Sequence, residues 1–67
     1  MSYYRIYGKK NTDKKYRAVD YHAGALVDKL IYATIIKEDQ KENALRMIDY
    51  MIQNNEGYHF ELRAIHE

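Results

Sequence analysis

Eight tyrosines in 67 residues, five of them (Tyr3, Tyr4, Tyr7, Tyr16 and Tyr21) in the first third, constrain this chain more than any other feature. A tyrosine ring is as large as a core side chain but ends in a hydroxyl that needs a partner or water. It therefore suits a half-buried strand face or a binding surface better than a sealed core. Cysteine, tryptophan and proline are absent, so no disulfide staple and no thiolate metal site is available. A single core in so short a chain outweighs chain entropy by only about 3–5 kcal/mol. Packing, alone or combined with self-association, must supply the stability, and a homodimer is an expected state.

Ser2 to Tyr7 reads as a strand closed by Gly8, with Tyr4 and Ile6 on one face and Tyr3, Arg5 and Tyr7 on the other. Lys9 to Lys15 contains no apolar residue and reads as a hairpin loop, with Asn11 and Asp13 supplying turn geometry. Tyr16 to Tyr21 is the return strand. Residues 22–29 fit either a short helical turn or a crossing loop, because Gly24 interrupts Ala23, Ala25 and Leu26. Leu30 to Ile36 is rich in β-branched residues and predicts a third strand. Asp39 and Glu42 suggest a capping-box start for a helix. That helix would carry Ala44, Leu45, Ile48, Met51 and Ile52 on one face, with a stop at Asn54 to Gly57. Tyr58 to Ile65 alternates cleanly, so Tyr58, Phe60, Leu62 and Ala64 should pack on the helix. The expected fold is one α+β domain spanning residues 1–67. It has a small antiparallel sheet of about four strands, in the order β-β-β-α-β, and one helix packed on one face.

The chemistry of a catalytic site is hard to assemble from these residues. There is no cysteine nucleophile, the only serine is Ser2, and Gly8, Gly24 and Gly57 are too isolated to cradle a phosphate. His22, His59 and His66 show no metal-ligand spacing. Asp20-Tyr21-His22 places acid–base groups side by side, but a strand end entering a turn explains them more simply. No catalytic residue, metal or cofactor is expected. No apolar run approaches the roughly 20 residues of a membrane span, and no signal peptide is visible, so a cytoplasmic protein is expected.

The face opposite the helix is the candidate binding surface. The alternation predicts that Tyr3, Arg5, Tyr7, Arg17, Tyr21, His59 and Arg63 share it. Interleaved rings and guanidiniums suit a protein interface. They also suit a stacking platform for single-stranded nucleic acid, and an ordinary half-covered sheet face is the plain alternative to both. Lys9, Lys10, Lys14 and Lys15 could add phosphate contacts, although such a loop is more often simply solvated. Eleven Lys+Arg against ten Asp+Glu leave a net charge of +1. That balance is unlike a dedicated nucleic-acid binder.

Taken as Tyr3-Tyr4-Arg5-Ile6-Tyr7, a lysine-rich turn, Tyr16-Arg17-Ala18-Val19 and a helix-then-strand ending in Phe60-Glu61-Leu62, the whole chain resembles small accessory proteins of Gram-positive phages and prophages. The likeness lies in size and in lysine, tyrosine, isoleucine and asparagine usage, and it transfers no residue roles. It implies a non-enzymatic protein of the host cytoplasm, often dimeric, that binds and blocks a larger host protein such as a defence nuclease, in the manner of an anti-CRISPR. The alternative is a single-stranded nucleic-acid or nucleotide-binding module using the same surface together with the Lys9–Lys15 loop.

Overall fold

In a computed structural model that describes residues 2–65, the first strand forms the axis of the sheet. β1 (Tyr3–Lys10), β2 (Arg17–Asp20), β3 (Ala25–Val27), β4 (Ile36–Lys37) and β5 (Tyr58–Ala64) are joined by short 3-10 turns at Leu30–Tyr32 and Glu38–Gln40. The helix α1 (Lys41–Asn54) precedes β5. β5 takes one edge of β1 for seven consecutive antiparallel pairs, from Tyr4↔Ala64 to Lys10↔Tyr58. The other edge of β1 is divided. β2 pairs at Tyr7↔Ala18 and Gly8↔Arg17, and β4 pairs at Tyr3↔Lys37 and Tyr4↔Ile36. β3 lies outside β2. The architecture is α+β: an antiparallel five-stranded sheet with one helix against it.

Divided occupancy explains where the expected strand order fails. Leu30 to Ile36 has strand composition, but β2 already holds that edge at Tyr7 and Gly8. Only Ile36 and Lys37 find a partner, so the segment forms a 3-10 turn and a two-residue strand instead. The ambiguous stretch before it resolves as a turn followed by β3. Gly24 makes that turn at φ 64°, and its N–H donates to the Asp20 carbonyl.

The helix departs from expectation at its start and in the width of its apolar face, and stops where the sequence places the stop. No capping box forms. Asp39 lies inside the 3-10 turn, Gln40 stands at the N-cap, and no side chain caps it. The apolar face is also narrower than expected. Ala44, Ile48 and Met51 are buried, but Leu45 and Ile52, about a quarter turn away, stay 45% and 44% exposed. At the C-terminal end, Asn54 and Asn55 donate their side-chain amides to the carbonyls of Tyr50 and Met51. Gly57 then turns the chain at φ 83°.

The core is one cluster beneath α1: Ile6, Val19, Ile36, Ala44, Ile48, Met51 and Phe60, edged by Tyr4, Tyr21, Leu26, Met47, Tyr58 and Leu62. Each fully buried large apolar side chain contributes roughly 1.5–3 kcal/mol. Gly8 is required by packing here, since a Cβ at that position would meet the Phe60 ring at 2.5 Å. The phenylalanine lies across the bare backbone of β1.

Candidate functional site: the sheet face opposite the helix

Strand alternation sorts the side chains into two faces. Ile6 and Phe60 are buried toward α1, so the odd-numbered residues of β1 and β5 point the other way. Tyr3, Arg5, Tyr7, His59 and Arg63 therefore share the face opposite the helix, as the sequence predicts. Arg17 and Tyr21 do not. Arg17 pairs with Gly8 and Ala18 with Tyr7, and facing residues of an antiparallel pair lie on the same side. Arg17 thus belongs to the α1 side, where it reaches Asp28 at 3.6 Å in an exposed ion pair. Tyr21 follows the same parity and packs against the core. Tyr16 takes their place on the open face.

This face is organised around one guanidinium. Arg63 lies 4.8 Å from the ring centre of Tyr7 and 4.4 Å from that of Tyr16. Its Nε donates to the Glu61 carboxylate. Lys9 places its ammonium 5.4 Å from the Tyr16 ring and donates to the Asp13 carbonyl. His59 meets Tyr16 edge-on at 5.9 Å and lies 3.7 Å from Glu61. A cation over an aromatic ring contributes about 0.5–1 kcal/mol at an exposed position and more once desolvated. Several such contacts hold these side chains in a fixed arrangement. Arg5 stands opposite Arg63 across the strand pair, and its Nε is buried without a hydrogen-bond partner among the described residues.

Sequence reasoning missed Tyr16 and Lys9 as members of this cluster; β5 alternation already places Glu61 on this face beside His59 and Arg63. The missing signal was hairpin register. Tyr16 comes opposite Lys9 only because the turn places Tyr7 against Ala18, and a one-residue slip would exchange the faces.

The lysines of the loop separate. Lys9, Lys10 and Lys15 line a polar cleft of about 410 Å³ together with Gly8, Asp13, Arg17, Leu26 and Tyr58, and Lys14 is not part of it. A smaller recess of about 270 Å³ lies among Tyr21, His22 and residues 34–37, with Gln40. Asp20 is committed to local structure there, its Oδ1 accepting from the backbone N–H groups of His22 and Ala23. The Asp20-Tyr21-His22 triplet is thus a strand end entering a side-chain-capped turn.

Among the described residues, no group of three or more histidine, cysteine, aspartate or glutamate residues is placed to hold a metal ion. His66 lies outside the described residues. No described helix is long and apolar enough to cross a membrane. Protein-family models, curated proteins and solved structures were all compared with the chain, and none matches it.

Proposed function

We propose that this chain is a non-enzymatic binding protein that docks the face around Arg63 onto an acidic patch of a larger protein, modulating or blocking it. The observation that carries the reading is the Tyr7–Arg63–Tyr16 stack. It is a pre-arranged aromatic and cationic surface of the kind that supplies interface hot spots, and it pays little ordering entropy on binding. Arg5, Lys9, Lys37 and Arg63 outnumber Asp20 and Glu61 on this side. Action on a host protein, as the resemblance to phage accessory proteins implies, is the form of this reading we favour.

The same geometry weighs against the nucleic-acid alternative. Base stacking needs free ring faces. The Arg63 guanidinium lies over both Tyr7 and Tyr16, and Lys9 lies over Tyr16, so a base would have to displace a cation. Lys10, Lys15 and Arg17 of the basic cleft lie on the α1 side, and Lys9 is the one cleft lysine whose ammonium is committed to the Tyr16 ring.

The test is affinity capture from host lysate with the tagged wild type, Arg63→Glu, and Tyr50→Ala as a control on the exposed helix surface. One stoichiometric protein, retained after nuclease treatment, kept by Tyr50→Ala and lost with Arg63→Glu, is the expected result. A nuclease-sensitive mixture whose recovery falls steeply with salt would overturn the reading in favour of nucleic acid.

A further inference from the structure

The outer edge of β5 is the longest unpaired backbone among the described residues, and it is open along the whole strand. Two hydrogen bonds fix its orientation: Ile65 N–H to the Tyr3 carbonyl, and Asn11 N–H to the Gly57 carbonyl. Odd-numbered residues of β5 therefore face β1. Phe60, Leu62 and Ala64 direct their N–H and C=O groups away from the sheet, where no described strand receives them. Proteins usually protect such an edge with proline, a bulge, an inward charge or a covering segment. β5 has no proline, and its register to β1 is unbroken. Its inward residues are Tyr58, Phe60, Leu62 and Ala64, none of them charged.

The helix leaves apolar surface on the same side. β4 and β5 both run antiparallel to β1, so β4–α1–β5 is a crossover between parallel strands. In such units the hand is right in nearly every case. With that hand, and with α1 running alongside β1, the Leu45 and Ile52 flank turns toward the free side of β5. Both residues are nearly half exposed there.

We infer that β5 pairs antiparallel with β5 of a second copy of this chain, in the register that sets Leu62 opposite Leu62. Charge complementarity selects that register. It uses the outward N–H and C=O groups of Phe60, Leu62 and Ala64 and places Phe60 opposite Ala64 of the second copy. Glu61 of each copy then faces Arg63 of the other, on the side away from the helices. Centring the pair one residue earlier would set Glu61 against Glu61, and one residue later Arg63 against Arg63. Opposite charges directly across an antiparallel pair stabilise it, and like charges destabilise it. The pairing would also bring the two α1 helices side by side, with Leu45 and Ile52 of each along the seam. The two sheets would join into one of ten strands, with two Arg63 clusters on a common face. This inference stands independently of the partner proposed above.

The experiment is sedimentation of the full chain over a dilution series, with Glu61→Arg, Arg63→Glu and an equimolar mixture of the two variants. The wild type is expected at twice the 8.1 kDa of one chain. Each variant alone should sediment as a monomer. The mixture should recover the dimer, because each chain carrying Glu61→Arg then sets two positive side chains against the two negative ones of a chain carrying Arg63→Glu. Amide exchange on the wild type gives a second reading that requires no variant. Phe60, Leu62 and Ala64 should be protected at high concentration and lose that protection on dilution. Wild type that stays monomeric with concentration-independent exchange at these amides would overturn the inference. So would a dimer that both charge reversals leave intact.

Discussion

Residues 30–36 carry six apolar side chains and residues 58–64 only four, yet the less apolar segment is the one that joins the sheet along its whole length. Tyr58 to Ala64 forms seven pairs with β1 and buries Phe60 under the helix. Leu30 to Ile36 contributes one buried side chain, Ile36, and leaves Leu30, Ile31, Tyr32 and Ile35 between 52% and 81% exposed. The difference lies in what each segment meets. β5 reaches a β1 edge that nothing else has taken, whereas Leu30 to Ile36 reaches one that β2 already shares and pairs there only through Ile36, with the next residue Lys37. Composition makes a segment competent for a strand, and a free edge decides whether it becomes one.

Three substitutions test that contrast, in falling order of effect. Met51→Ala removes a buried side chain from the helix that covers β1 and β5. It should cost about 2–5 kcal/mol, comparable to the whole stability of a domain this size, so circular dichroism should show a largely unfolded chain. Thr34→Ala probes the one side-chain tie between the connector and β2, the Tyr21 N–H donating to Thr34 Oγ1 at 2.9 Å. Loss of this half-buried bond should cost about 1 kcal/mol in urea denaturation. Ile31→Ser, at an 81% exposed position, should change stability by less than about 0.5 kcal/mol. If Ile31→Ser cost as much as Thr34→Ala, the connector would be packed rather than displaced, and the contrast would fail.

Much of this arrangement is legible in the sequence, and the failures share a cause. β5 and the buried stripe Ala44–Ile48–Met51 follow from local periodicity, because each is long enough for its repeat to show; β1 begins where expected but runs on through Gly8 to Lys10, so Lys9 and Lys10 belong to the strand and not to the loop. The errors at Arg17, Tyr21 and Leu30–Ile36 come from pairing, which depends on residues far away in the chain. Turn geometry decided which residue of β2 met Tyr7, and with it which tyrosine reached Arg63. No local pattern near Tyr16 records that outcome. Leu45 and Ile52 failed for a related reason. Their spacing is helical and apolar, but the sheet stops at β5 and offers nothing beyond it to cover them.

The partnership of β1 with β5 also governs the order of events in time. Tyr4 meets Ala64, so the longest seam in the molecule joins residues near the two ends of the described chain. A chain extended only through α1 has a hairpin, a connector and a helix whose apolar stripe lacks much of its floor. Contacts of such long sequence separation slow folding relative to a local helical bundle. They also remove any cheap route to partial opening, because releasing either end undoes the central pairing and uncovers the core. Assembly should therefore be late and nearly all-or-none, with the last strand completing the fold.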